Sequence, residues 1–108
     1  MARNNSIGAS EQDVDQLAAL FRLLSDRTRL TILVVLAEGE RNVGSLCEEL
    51  KLPQPTVSHH LGLLKMNNVI GSRRSGKQIF YGVNGRIANE AAAMQIAVEK
   101  YFVRIGAK

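Results

Sequence analysis

The chain of 108 residues contains only two prolines, and they stand two positions apart in the run LCEELKLPQPTVSHHLGLLK. A proline lacks an amide hydrogen and has a fixed φ, so Pro53 must interrupt any helix that reaches it from the N-terminal side. Pro55 instead suits the first turn of a new helix, where its missing N–H would have had no partner. Upstream, Val43, Leu46, Cys47 and Leu50 fall at i, i+3, i+4 and i+7, one face of a helix for which Asn42 is a candidate cap. Downstream, Val57, His60, Leu61 and Leu64 share a face, which directs Thr56, Ser58, His59, Gly62 and Lys65 away from it, with Leu63 near the boundary. Two short helices joined by Lys51-Leu52-Pro53, the second opening with polar side chains, form a helix-turn-helix.

The rest of the chain is read around that unit. Residues 1–10 are small and polar without periodicity and read as a flexible arm, leaving residues 11–108 as one domain. Val14, Leu17, Ala18, Phe21 and Leu24 predict a first helix from about Asp13 to Leu24. Ser25 or Asp26 can cap a second helix, DRTRLTILVVLAEG, apolar almost all round and therefore the expected buried centre. Gly39 is expected to end it in the left-handed conformation. Asn67 and Asn68 can close the helix that begins near Gln54. The segment VIGSRRSGKQIFYGV then has strand-forming residues on both sides of Ser75-Gly76-Lys77, a hairpin with Arg73, Arg74 and Lys77 at or near its tip. Finally, Ile87, Ala91, Met94, Val98, Phe102 and Ile105, with Tyr101 beside them, predict a long last helix. The expected fold is mainly α with a small β-hairpin, about five helices and two strands.

Charge suggests what such a fold would bind. The net charge is +4, but no acidic residue occurs between Lys51 and Asn89, a stretch holding Lys51, Lys65, Arg73, Arg74, Lys77 and Arg86. The first fifty residues carry five basic against eight acidic side chains. The C-terminal half is thus suited to a polyanion, the competing reading being a solvated basic face without a partner. A major groove admits one helix, and short polar side chains at its N-terminus reach base edges there. Gln54, Thr56, Ser58 and His59 are residues of that kind: Gln can pair two-fold with adenine, Thr can offer its methyl to thymine, and Ser and Thr can hold phosphates. Arg73, Arg74 and Lys77 would meet backbone phosphates or a narrow minor groove.

Three stretches, LSDRTRLTILVVLAEGE, LCEELKLPQPTVSHHLGLLKMNNVI and GKQIFYGV, resemble the ArsR/SmtB family of winged helix-turn-helix repressors across roughly residues 13 to 105. The resemblance implies a homodimer, built mainly from the first and last helices, that binds an imperfect palindromic operator in double-stranded DNA and represses transcription, often of its own operon. It places Gln54, Thr56, Ser58 and His59 on DNA, with Arg73, Arg74 and Lys77 on the wing, and it puts His60 on the inner side of the recognition helix. Many members release DNA on binding a metal. One family site, Cys-x-Cys, would fall on Asn42 and Gly44, and the other, on the last helix, on Gly85, Ile87, Val98 and Tyr101. None of these is a usual ligand, so neither a metal nor any other cofactor is expected.

Other functions are weighed against this one. A winged-helix module for protein or RNA contacts has the same polar surface. The lone Cys47 cannot form an internal disulfide; it is read as a packing residue, with a thiol-redox-responsive repressor as the alternative. His59 and His60 diverge by about 100° on a helix and do not converge on one ion. Arg27 and Arg29 could serve phosphates or internal ion pairs. No nucleophile–base pair or phosphate loop supports an enzyme. The longest apolar run, Ile32 to Ala37, is too short for a bilayer, and the N-terminus lacks the apolar core of a signal peptide, so a cytoplasmic protein is expected.

Overall fold

In the computed structural model, residues 10–83 are described in full and residues 87–90, 93–98 and 101–106 by their strand pairing. Four helices and a three-stranded sheet come first: α1 (Glu11–Leu24), α2 (Arg27–Glu38), β1 (Arg41–Asn42), α3 (Val43–Leu50), α4 (Gln54–Met66), β2 (Ile70–Ser75) and β3 (Gln78–Val83). The sheet order is β1-β3-β2, antiparallel throughout. With α3 and α4 it forms a winged helix-turn-helix. Three further strands follow, β4 (Ile87–Glu90), β5 (Ala93–Val98) and β6 (Tyr101–Gly106), paired in that order. The predicted arm falls outside the described residues except for Ser10, which caps α1.

Local chemistry accounts for the helix boundaries. Ser10 accepts from the Asp13 N–H while the Asp13 carboxylate accepts from the Ser10 N–H, a reciprocal capping box. Asp26 accepts from the Arg29 N–H at 3.1 Å to begin α2, and Asn42 accepts from the Ser45 N–H at 2.8 Å to begin α3. Lys51 closes α3 in the left-handed region, at φ 57, and Asn68 takes φ 59 after α4. Gly39 ends α2 as anticipated but in an extended conformation, φ 160 and ψ 161, so the left-handed end expected there is not formed.

Ile32, Leu33 and Leu36 of α2, Leu46 of α3, Val57, Leu61 and Leu64 of α4, and Val69 and Ile70 at the start of the wing form the core, joined by Leu20 of α1. The faces expected for α3 and α4 are the faces buried. Two expectations for the first helices change in detail. Val34 points outward, so α2 has a buried face and an exposed one. The α1 stripe is split: Leu17 and Leu24 pack on the core, whereas Val14 and Phe21 remain 50% and 53% exposed.

The last predicted helix is not formed. Residues 87–90, 93–98 and 101–106 pair instead as β4-β5-β6, and among the described residues the helix count is four. The register shows why a strand reading also satisfies this sequence. Met94 lies opposite Ile105, Ile96 opposite Val103 and Val98 opposite Tyr101, so alternate positions match apolar with apolar across the ladder. The apolar spacing fits periods of both 3.6 and 2, and Tyr101 to Ile105 is rich in the aromatic and β-branched residues that strands prefer. The last helix expected to share the dimer seam is therefore absent among the described residues. Ala91 of that predicted stripe lies outside the described residues.

Candidate nucleic-acid interface

The turn between α3 and α4 sets how the second helix is presented. Lys51 reverses the chain in its left-handed conformation, and the Cys47 carbonyl accepts from the N–H groups of both Lys51 and Leu52. Pro53 then occupies the cap position of α4, where its carbonyl accepts from Thr56 and Val57. It has no side-chain acceptor to give. Side chains close the N-termini of α1, α2 and α3, but α4 starts with no side-chain cap and no acidic residue in its first turn. Its positive end is left for whatever approaches from outside.

Gln54, Ser58 and His59 are exposed along this end of α4, as their spacing requires. Thr56 is half-buried and so less available than the other three. His60 turns inward: its Nδ1 lies 3.4 Å from Nη1 of Arg29, whose Nε donates to the Leu23 carbonyl at 2.7 Å. Arg29 is thus an internal strut between α1, α2 and α4, which decides its role in favour of structure. Arg27 is exposed at the start of α2. Cys47 is half-buried against the core. The Arg29 N–H bonded to the Asp26 carboxylate is the main reason that Asp26 titrates below its ordinary 3.8.

The wing is a tight hairpin. Ser75 pairs with Gln78, leaving Gly76 and Lys77 as a two-residue loop, and Gly76 adopts φ 63 at the first loop position, where a primed hairpin turn needs it. Asn42, besides capping α3, donates to the Gln78 side chain at 3.1 Å and ties the wing to the helix-turn-helix. β1 adds a third strand through Arg41 opposite Tyr81 and Asn42 opposite Phe80, a pairing too short to leave any periodicity in the sequence.

Strand alternation sends Arg73 and Arg74 to opposite faces of the wing. Arg74 is cross-strand partner to Ile79, and it and Lys77 are exposed and enter no ion pair among the described residues. Arg73 faces Phe80, with its guanidinium carbon 5.0 Å from the ring centroid, and it makes a two-pronged pair with Glu40. Nε donates to the two carboxylate oxygens at 3.0 and 3.1 Å, and Nη2 donates at 2.8 Å. That bonding holds the Glu40 carboxyl below its usual 4.5 and raises Arg73 further. Sequence reading missed Glu40, because nothing local links residues 33 positions apart; the Arg73–Phe80 pairing could have been read from the hairpin register.

Comparisons with known proteins agree with this geometry. Residues 26–70 match the family described as bacterial regulatory protein, arsR family. The chain is 39% identical over 88 residues to the biofilm growth-associated repressor of Agrobacterium fabrum, covering 82% of this chain and 72% of that one. The chain belongs to the ArsR family. It is also 40% identical over 74 residues to the arsenical resistance operon repressor of Escherichia coli, covering 68% and 63% of the two chains. Among ArsR-like solved structures, the transcriptional repressor BigR of Xylella fastidiosa superposes with a TM-score of 0.64 at 38% identity, covering 68% of this chain and 76% of that one. The homodimeric winged helix-turn-helix DNA-binding domain of Mb0332 from Mycobacterium bovis gives 0.63 at 32% identity, covering 72% and 75%.

At the ArsR-family thiolate positions, Asn42 spends its side-chain oxygen on Ser45 and its nitrogen on Gln78, and Gly44 carries no donor. Of the second set of family positions, Val98 and Tyr101 face one another in the β5–β6 ladder and Gly85 lies outside the described residues. Among the described residues no helix is long and apolar enough to cross a membrane.

Proposed function

We propose that this ArsR-family chain is a homodimeric, sequence-specific DNA-binding repressor that acts in the cytoplasm. It sits on an imperfect palindromic operator, including one upstream of its own gene, and its release does not use the family's metal sites. The observation that carries this reading is the uncapped, acid-free N-terminus of α4, with Gln54, Ser58 and His59 exposed on it and the wing cations following in the same acid-free stretch. Gln54, Thr56, Ser58 and His59 enter the major groove, and Arg73, Arg74 and Lys77 meet the backbone. The names of the Agrobacterium and Escherichia coli relatives as repressors support the direction of regulation. None of the relatives described above is named as an enzyme.

Dimerisation is assigned to α1, where the exposed Val14 and Phe21 lie about two helical turns apart on one face and would be covered by a second copy. The homodimeric Mycobacterium bovis domain supports the stoichiometry. Metal independence is supported by the chemistry of Asn42 and Gly44, which supply no thiolate. The test is fluorescence anisotropy with a duplex from the protein's own upstream region and a scrambled control, each at two salt concentrations. Binding at least ~10³-fold tighter to the native duplex, falling steeply with salt, is the expected result. Equal, weak binding to both duplexes would refute specific autorepression. Phe21→Glu should convert the dimer to monomer in sedimentation; an unchanged dimer would move the seam elsewhere.

A further inference from the structure

The sequence separates its charges, with acids concentrated before Lys51 and none from there to Asn89, but among the described residues folding breaks the separation at one place. Glu40, in the short connection between α2 and β1, is brought onto the wing and takes Arg73. Three features hold it there. Its carboxylate receives the two-pronged bond described above, the Phe80 ring lies by the same guanidinium, and Gly82 leaves space for the glutamate stem. A Cβ on Gly82 would come within 3.1 Å of the Glu40 Cγ, closer than a relaxed contact allows. Gly82, Phe80 and Arg73 share one face of the hairpin, since Phe80 is opposite Arg73 and Gly82 is two residues on.

A carboxylate in this arrangement does what a phosphate does: it offers two oxygens to the planar fork of an arginine. We infer that Glu40 is an internal counter-anion for Arg73 that limits the wing's contribution to DNA affinity, so that Arg73 reaches a phosphate only by giving up Glu40. Both side chains are about half exposed, 56% for Arg73 and 45% for Glu40, so water and phosphate reach the pair and can exchange with it. Among the described residues Arg74 and Lys77 carry no such restraint, and they supply the wing's free charge. The inference rests on the DNA-binding reading given above and deepens it by naming a residue that lowers affinity without touching DNA.

The test is a double-mutant cycle on the full chain, with wild type, Glu40→Gln, Arg73→Ala and the double variant titrated onto the upstream duplex and its scrambled control over a range of salt. Glu40→Gln keeps the shape of the side chain and removes its charge. It should tighten binding to both duplexes by about 3- to 10-fold at ~0.1 M salt and steepen the log–log salt slope by about one, the signature of one more phosphate contact. Arg73→Ala should weaken binding in both backgrounds, but by about 3- to 10-fold more in the Glu40→Gln background, so that the whole gain is abolished there. Gly82→Ala, which crowds Glu40 while leaving every charge in place, should shift affinity in the same direction as Glu40→Gln and by less. Weaker or unchanged binding by Glu40→Gln and Gly82→Ala, or an equal loss from Arg73→Ala in both backgrounds, would overturn the inference while wild-type binding stands. Absence of salt-dependent binding by the wild type to any duplex would instead overturn the DNA-binding reading itself, and the inference with it.

Discussion

Helix α4 and the wing present polar groups to the same expected partner, but they are held in opposite ways. α4 is seated by Val57, Leu61 and Leu64, all buried, so its outer residues are aimed by a core that water does not reach. Beyond Ile70 the β2 strand is exposed along most of its length, and the wing's side chains are aimed by hairpin register and by polar contacts, Arg73 of β2 with Glu40 and Gln78 of β3 with Asn42. A seat made of apolar contacts is rigid and indifferent to salt; one made of surface ion pairs is exchangeable and salt-sensitive. Base reading suits the first and phosphate contact the second.

The largest effect that would test this contrast is on stability. Leu61→Ala should cost ~3 kcal/mol in a urea melt, because the cavity left at a fully packed site cannot collapse, whereas Ile79→Ala on the wing should cost less than ~1 kcal/mol. Equal losses would mean that the wing is seated as firmly as the helix. Next comes a difference in kind: Gln54→Ala should relax discrimination at one base position by ~1–3 kcal/mol, while Arg74→Ala should weaken binding to every duplex and lower the salt slope by about one. Sequence-selective loss from Arg74→Ala would erase the division.

Acid unfolding gives a smaller signal with a definite sign. Asp26 and Glu40 both titrate below their ordinary values, so each stabilises the fold above about 4.5 and loses that contribution as pH falls through its lowered value. Asp26→Asn and Glu40→Gln should therefore flatten the pH dependence of the melting temperature below that point and leave it unchanged near neutrality in shape. The smallest effect is at the hinge between α3 and α4: Lys51→Gly should stabilise by up to ~1 kcal/mol, since glycine adopts φ 57 without a Cβ clash. Destabilisation would show that the lysine side chain contributes more than its backbone costs.

What could be read in advance follows the range of the forces involved. The faces of α3 and α4, a cap for α2 at Ser25 or Asp26 and for α3 at Asn42, the asparagines after α4 and a hairpin turning at Gly76 are set within a few residues, and each is visible in the sequence; that Ser75 pairs with Gln78 and leaves a two-residue loop is not. Glu40 with Arg73 and Arg29 with His60 join residues more than thirty positions apart through ordinary surface and half-buried polar groups, which leave no pattern. The α1 stripe was visible, but its division into a covered part and a bare part was not, because periodicity reports which residues are apolar and not what covers them. The segment from Ile87 onward misled for another reason: its apolar spacing fits a helix and a strand, and pairing partners decided between them.

The two-residue loop at Gly76 and Lys77 has a consequence for how such a wing could change over generations. Which arginine is restrained depends only on odd or even position, since Arg73 is opposite Phe80 and Arg74 is opposite Ile79. Deleting Ser72 and restoring one residue at the loop would move Arg74 into the restrained place beside Glu40, with every charge in the protein retained. A lineage could retune its grip on DNA by a shift of register that composition would never reveal.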